Sequence, residues 1–469
     1  DQSGAAIGSG IMLVFPAHMN RIVELDTKSN TVVVEPGINY GKLQQTLHTH
    51  NRFLPPYPAS IEYSTIGGAI ANNAAGEKTV KYGDTRNYVQ ALRVVLANGE
   101  VIETGRLSKR EFNKKLGLAT FEGEIYRSLD TLLEEQRELL PKLERRVSKN
   151  NAGYWLHDVK NSDGSFDLTP LFVGSQGTLG VITEAVLATE AYVPHTLLYV
   201  ASFDDLEQMQ EAVISLRELK QTPSAIEFVD GNLLDQAYAL NPNQFKDIMP
   251  PPYPKALLFV EFEAEGKHAK KSNKKADKIF ETHGAIVQTI TEPDKQQQYW
   301  KLRQASSTIV AHNEGLLRAL PIIDDAAVPI GRTKEFLEAL YKLLAANQVK
   351  PAVWGHAGDA SFHLQPRLNL GQVGDRQKAF RLIEEYHKLV IGLGGTISSE
   401  AGDGRLRAPY LEAQYGAELY SLLQKVKQIF DPYGTLNPGV KFGTSIDDLK
   451  ANIRTDYSLD HLYDHLPRS

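Results

Sequence analysis

The chain has 469 residues, 42% of them hydrophobic and 23% charged, with a net charge of -6. That length exceeds one ordinary core and predicts two or three domains of a globular protein. The acidic balance argues against a nucleic-acid partner, and no apolar run reaches the roughly 18 residues of a membrane helix. Cysteine is absent, which removes disulfides, thiolate catalysis and iron–sulfur ligation within the chain and leaves histidine and carboxylate to hold any metal. The opening DQSGAAIGSG has neither the basic region nor the apolar run of a signal peptide, so a cytoplasmic location is expected.

Over the first 190 residues short β-rich runs alternate with turns. TVVVEPG (31–37) and ALRVVLANGEVIET (91–104) read as strands. The second folds into a hairpin at Asn98-Gly99, a pair that favours a type I′ turn. Between them, residues 55–87 are dense in Gly, Ala, Asn and Pro. Gly67, Gly68 and Gly76 let a backbone lie close to a flat ligand, with the amides from Thr65 onward turned toward an anion. A loop followed by a small-residue helix accounts for the segment equally well. The later cluster FVGSQGTLGVITEAVLAT (172–189) has the wrong context for a dinucleotide fingerprint, because a strand is expected after Gly180 where a helix is required.

From about residue 195 the pattern becomes strand 196–203, helix 204–219, strands SAIEFVD and ALLFVEFEAE, helix KKADKIFETHG and strand AIVQTIT. The basic run 266–278 reads as a solvated face of that second helix. The same order returns in DAAVPI (325–330), helix 332–346, KPAVWGH (350–356), SFHLQP (361–366), helix 374–392 and GTISSE (395–400). Two tandem ferredoxin-like units are therefore expected, forming an antiparallel sheet with helices on one face.

In WGHAGDASFHLQP (354–366), His356 falls at the end of one predicted strand and His363 within its hairpin partner, and Glu400 ends the last predicted strand of the same unit. Two His and a Glu with an open position suit a catalytic zinc or manganese ion. Two ordinary hairpin histidines fit the spacing as well.

The segments PASIEYSTIGGAIANNAAGEKTVKYG, VGSQGTLGVITEAVL, GHAGDASFH with SSEAGDGR, and FDPYGTLNPGVKFG stand here in one order. It is the order they hold in FAD-linked D-2-hydroxy-acid dehydrogenases of the vanillyl-alcohol oxidase superfamily. Over residues 1 to 443 the chain resembles the branch of D-lactate dehydrogenases and the glycolate oxidase flavin subunit. The resemblance implies an α+β protein. Residues 1–194 would be a PCMH-type FAD-binding domain lacking its first part, and 195–400 a cap of two ferredoxin-like units. A segment over 401–443 would return to the flavin, and 444–469 would be a tail or linker.

By the same resemblance Ser3, Gly4, Pro58, Ser60, Thr65, Gly67, Gly68, Asn72 and Gly76 wrap the FAD. Gly180 and Ile182 line it, and Asn437 returns near the isoalloxazine ring. His356, His363 and Glu400 become ligands for an ion that holds the substrate's 2-hydroxyl and carboxylate. Arg303, in WKLRQAS, takes the place of an arginine that pairs with the substrate carboxylate, a task suited to a guanidinium. A surface arginine at a helix start is the plainer alternative.

The implied reaction is oxidation of a D-2-hydroxy acid (D-lactate, glycolate or D-2-hydroxyglutarate) by hydride transfer to flavin N5, assisted by the metal. Electrons would pass to a quinone, a cytochrome or an iron–sulfur domain, with membrane contact at most peripheral. Two departures qualify the resemblance. The family places a histidine base after the metal-binding Glu, and this chain has Ala401, with Ser399 before the Glu where Gly is usual. Another group must then serve, with His363 or a hydroxide on the ion as candidates. Otherwise the chain is a flavin-binding subunit or fragment without dehydrogenase activity. The second departure is that the sequence starts just after the family's pyrophosphate-holding loop, as a fragment would. Ether-lipid synthases, non-redox relatives, carry a histidine-rich motif where SSEAGDG stands.

Overall fold

The computed structural model describes residues 3–455, apart from Ser9, Arg145, 266–268 and 313–314, and for Gln244 the backbone only. Most of the expected tail thus lies outside the described residues, as does the start of the basic run.

The amino-terminal half is built on a five-stranded antiparallel sheet, ordered Ile22–Asp26, Thr31–Val34, Val181–Ala188, Val89–Val95 and Val101–Glu103. Period-two alternation orients it: Val32 and Val34 are fully buried while Thr31 and Val33 are half exposed. The helix Phe121–Glu135, capped where the Thr120 hydroxyl accepts from the Gly123 N–H, brings Ile125, Leu129, Leu132 and Leu133 to this core. Leu422, Leu423, Val426 and Phe430 of the late helix Leu411–Phe430 join the same cluster, so the chain's end returns to its first core.

The hairpin after Val95 differs from expectation. Only Gly99 has a positive φ, 86°. Its N–H donates to the Leu96 carbonyl, and Asn98 Oδ1 accepts from the Glu100 N–H. A type I′ turn needs positive φ at both central residues, so a longer loop with one left-handed glycine replaces it.

The second half carries a seven-stranded antiparallel sheet: Ile286–Ile290, Thr196–Phe203, Ala256–Glu263, Ala225–Asp230, Trp354–His356, Ser361–His363 and Ala326–Ala327. The first four strands form one ferredoxin-like unit and the last three the other. They meet edge to edge where Trp354 pairs with Val229 and Gly355 with Phe228.

Two expectations fail here. GTISSE is not a strand; it contributes one bridge, between Ala327 and Thr396. Of its next N–H groups Ile397 donates to Gln414 Oε1, Ser398 to Thr396 Oγ1 and Glu400 to Asp325 Oδ1, and Ser399 alone makes a backbone bond, to the Asp325 carbonyl, so no regular ladder continues. Helices also cover both faces of the sheet. Leu206–Arg217, Ala269–Thr282, Thr333–Ala346 and Val373–Gly392 pack on the side of Phe228 and Phe362. Gly231–Leu240, Pro293–Arg303 and Ala305–Ala311 pack on the side of Val229, Phe259 and Trp354. The physical reason lies in AIEFVD, whose every residue is buried and which is apolar on both sides except at its two acids. No helix among the described residues is long and apolar enough to cross a membrane.

Candidate active site

The seam between the two units builds the site. With Gly355 across from Phe228, the next step brings His356 opposite Glu227, and His356 Nδ1 lies 2.7 Å from Glu227 Oε1. Its Nε2 then faces Glu400 Oε1 at 3.0 Å. One strand over, His363 pairs with Trp354 and sets Nδ1 2.9 Å from Asp324 Oδ1, with Nε2 3.6 Å from Glu400 Oε2. Each imidazole is thus oriented by a carboxylate on one nitrogen and presents the other to Glu400. This is the outer-shell arrangement seen around metal-binding histidines.

Glu400 sits on a turn gripped by Asp325. The two Asp325 oxygens accept from Ser399 Oγ (2.6 Å), Glu400 N (2.8 Å) and Ala401 N (2.7 Å), and Asp325 itself takes a left-handed φ of 67°. Arg407 backs this aspartate and donates to the Gly402 carbonyl at 2.9 Å. From the amino-terminal half Lys149, fully buried, reaches Glu400 Oε1 at 2.6 Å and Asp359 Oδ2 at 3.4 Å.

One donor atom from each of His356, His363 and Glu400 lies within 4.8 Å of the others. Charge makes the same point. Four carboxylates, on Glu227, Asp324, Asp359 and Glu400, face two fixed cations, Lys149 and Arg303. The deficit of two charges is what two histidine protons or one divalent ion would fill. Burial opposes charge on His363, yet Asp324 and Glu400 outweigh it and push the imidazole up to about 10. His356 is raised likewise, Glu227 and Glu400 overcoming burial. Burial would raise Glu400, but His356 and Lys149 hold it well below the usual carboxylate range. The set {two Nε2, one carboxylate oxygen} has the chemistry and spacing to hold zinc or manganese in exchange for those protons.

Arg303 is neither on the surface nor at a helix start: it is the buried last residue of Pro293–Arg303. Its Nε and Nη2 each lie 2.8 Å from Glu227 Oε2. A substrate carboxylate would have to share that guanidinium with Glu227.

The glycine segment corrects another expectation. The amides after Thr65 do not turn toward an anion: Ile66 N donates to the Ile38 carbonyl (3.0 Å), Gly67 N to Pro36 (2.7 Å) and Gly68 N to Thr65 Oγ1 (3.1 Å). The chain itself uses them. Gly67 is small because a Cβ would lie 2.6 Å from Pro36 Cβ, Gly76 because it would strike the Tyr57 carbonyl, and Gly180 because it would meet Val94 Cγ1 at 2.5 Å. Gly76 and Gly180 are buried.

Gly68 and Gly4 differ from these. A Cβ on exposed Gly68 would meet only the Thr65 hydroxyl, at 3.2 Å, and one on Gly4 nothing nearer than Arg405 Cβ at 3.8 Å. Ser60 is exposed, Pro58 and Ile182 are half-buried and Ser3 is buried. Asn72 Oδ1 accepts from Gln176 Nε2 (3.0 Å), and Asn437 Nδ2 donates to the Gln176 carbonyl (2.6 Å). A neutral polar wall with open glycines fits a flavin nucleotide. Asn151 ties it to the cluster, its Nδ2 lying 2.9 Å from the Asn72 carbonyl and 2.8 Å from that of Glu400. A cleft of about 440 Å³ lined by Arg86, Trp155 and Tyr415 includes none of the cluster's residues, so volume alone does not locate the chemistry.

Sequence reasoning missed Glu227, Asp324, Asp325 and Lys149. The acids did leave a signal, since Glu227 interrupts the apolar AIEFVD and Asp324-Asp325 follow Ile322-Ile323. A charge inside an apolar run must find a partner. Lys149, in SKNNAG, left none.

Residues 194–440 match the model of the FAD linked oxidases, C-terminal domain, and residues 1–105 that of the FAD binding domain. The glycolate oxidase subunit GlcD of Bacillus subtilis is 30% identical over 92% of this chain and 79% of its own length. A D-2-hydroxyglutarate dehydrogenase of Pantoea ananatis is 26% identical over 98% of this chain, which spans 46% of that protein, less than half. Among solved structures, 4-ethylphenol oxidase from Gulosibacter chungangensis, 15% identical, superposes with a TM-score of 0.63 over 92% of this chain and 80% of its own, a likeness of fold.

Proposed function

Since the chain belongs to the family of FAD-linked oxidases, we propose that it is a flavin-dependent dehydrogenase of a D-2-hydroxy acid. D-lactate, glycolate or D-2-hydroxyglutarate would be converted to its 2-oxo acid on a metal-assisted site at the seam of the cap. The division we adopt is a flavin domain over 1–194, a cap over 195–400 and a returning segment over 401–443. The names of the two relatives, one acting on glycolate and one on D-2-hydroxyglutarate, support the substrate class. The observation that carries the metal-assisted reading is the convergence of the two Nε2 atoms and Glu400 in a cluster two positive charges short.

When bound, FAD supplies the acceptor for the hydride leaving Cα, and a divalent ion supplies the Lewis acidity that eases loss of the hydroxyl proton. The protein's own contribution is placement. Glu227 and Asp324 fix the two rings, Asp325 holds the Glu400 turn, and Arg303 lends positive charge at the strand bearing Glu227. Backbone at Gly4 and Gly68, with Ser60, Asn72 and Asn437, would hold the flavin. The hydroxyl proton is the one product without a designated side chain. Position 401 is Ala, and His363, pushed up to about 10, already holds a proton at neutral pH unless an ion displaces it. Electrons would leave the flavin for a quinone, cytochrome or iron–sulfur acceptor.

Ala401 favours one second reading, a flavin-binding subunit without its own dehydrogenase activity. Anaerobic bleaching of the FAD-loaded protein by a panel of D- and L-2-hydroxy acids, with and without Zn²⁺ or Mn²⁺, separates the two. Metal-dependent bleaching by a D-acid is expected. No bleaching by any acid in a protein that holds FAD would favour the second reading.

A further inference from the structure

Resting on the metal-assisted reading, we propose that Lys149 is a positioning residue that restricts Glu400 to one-oxygen ligation, keeping open the ion's positions that substrate must fill. The two oxygens of Glu400 are not equivalent. Oε1 is held by Lys149 Nζ at 2.6 Å and His356 Nε2 at 3.0 Å, whereas Oε2 faces His363 Nε2 at a looser 3.6 Å. His356 can turn its Nε2 from Oε1 to an ion, since its ring stays hinged on Glu227. Lys149 cannot turn to solvent. Its side chain is 1% exposed and lies between two carboxylates, the Glu400 oxygen at 2.6 Å and Asp359 Oδ2 at a longer 3.4 Å, so it can hold both without releasing Oε1.

Oε1 is therefore reserved by a buried ammonium, and Oε2 is the oxygen offered to the ion. Two imidazole nitrogens and one oxygen then leave the rest of a four- to six-coordinate shell for the 2-hydroxyl and carboxylate of substrate. An unrestrained glutamate would chelate through both oxygens and take one of those positions. Lys149 belongs to the flavin domain and Glu400 ends the cap, so the restriction exists only while the two are docked. Flavin face and ion site are set by one contact.

The test is Lys149→Met, which keeps length and apolar bulk, beside Lys149→Arg, which keeps the charge. Both are loaded with FAD and titrated calorimetrically with Mn²⁺, with Co²⁺ as a visible-absorption probe of coordination number. Lys149→Met is expected to bind Mn²⁺ at least as tightly as the parent, to give a weaker Co²⁺ visible band typical of a fuller shell, and to raise KM for the D-acid tenfold or more. Lys149→Arg should restore the Co²⁺ band and most of KM. Parallel loss of Mn²⁺ and substrate affinity in Lys149→Met would mean that the lysine only builds the site, and an unchanged Co²⁺ band and KM that it does nothing there; either overturns the proposal. Should Lys149→Met not fold, Lys149→Met with Asp359→Asn, which removes one charge of each sign, takes its place with the same expectations. If the unsubstituted protein takes up neither ion, the metal-assisted reading itself fails, a result distinct from any difference among variants.

Discussion

Residues 55–87 and 354–363 are both rich in small residues with scattered polar groups, and they are stabilised in opposite ways. In the first, small size serves chain-on-chain contact. Gly67 lies on Pro36 and Gly76 on Tyr57, and the amide hydrogens of 66–68 go to neutral acceptors of the chain itself. In the second, small size lets charges converge: a Cβ on Gly355 would strike the Ser361 carbonyl, and this close strand pairing sets His356 beside His363, ring centroids 5.6 Å apart. A glycine-rich stretch thus announces close approach without saying what approaches. The neighbouring charged residues decide that. The strand Ala225–Asp230 repeats the contrast within six residues. Glu227, facing His356 and Arg303, is driven down to about 2 against its burial, while Asp230, equally buried without a cation, is pushed up to about 6 by burial.

The sharpest way to break the comparison is to remove charge from one region and space from the other. His356→Ala, which takes away a ligand and leaves Glu227 to Arg303, is expected to slow substrate-driven flavin reduction by ~10³ or more and to abolish its metal dependence; rapid-mixing absorbance under anaerobic conditions reads both. Ala401→His should move the rate the other way, by ~10²-fold or more, the contribution of a placed general base. Equal rates in the two proteins would mean that the hydroxyl proton needs no side chain at 401.

On the neutral side, Gly76→Ala forces a methyl into the Tyr57 carbonyl and is expected to cost ~2–3 kcal/mol or more of stability. Gly68→Ala should change stability by less than ~1 kcal/mol while weakening FAD binding. Urea unfolding and flavin titration of both variants check the pair, and equal stability losses would show that no wall is bared at Gly68. The smallest effect concerns Asp230. Its folded value lies above the ordinary one near 4, so the folded chain binds more protons than the unfolded chain between about pH 4 and 6. Stability is therefore lost as pH rises through that window. Asp230→Asn keeps an N-cap for Gly231–Leu240 without the charge. Relative to the parent it should gain about 1–3 kcal/mol between pH 4 and pH 7, read as the difference in unfolding midpoints at the two pH values.

Much of this was legible in residue order. Periodicity located the four strands of the first cap unit and the four helices on the Phe228 side, because long amphipathic runs such as 333–346 bury one consistent face. The short elements were not legible. GTISSE has strand-forming residues, and what stops the ladder is Asp325, seventy residues away, which takes the N–H of Ser399's neighbour Glu400 and of Ala401. Helices on both faces were foreshadowed by the two-sided apolarity of AIEFVD. Arg303 was read without its partner, since nothing in WKLRQAS points to Glu227. The two histidines could be placed by strand logic, whereas the strand expected to end at Glu400 does not form and only the resemblance pointed to that residue. Lys149 could not, because a lysine in a polar loop is ordinarily a solvated one.

The pairing of Trp354–His356 with Ala225–Asp230 has a consequence for folding. Side chains alternate across a sheet, so a slip of one residue would swing His356 away from Glu227 into the layer of Phe228 and Phe362, and leave Glu227 opposite Gly355 or Ala357. Misregistered joining of the two units would thus bury an imidazole in hydrocarbon and leave Glu227 to Arg303, whereas the native register gives the acid both partners and the imidazole its carboxylate. The pair at the joint acts as a proofreading element, making the nearest wrong docking costlier than the right one.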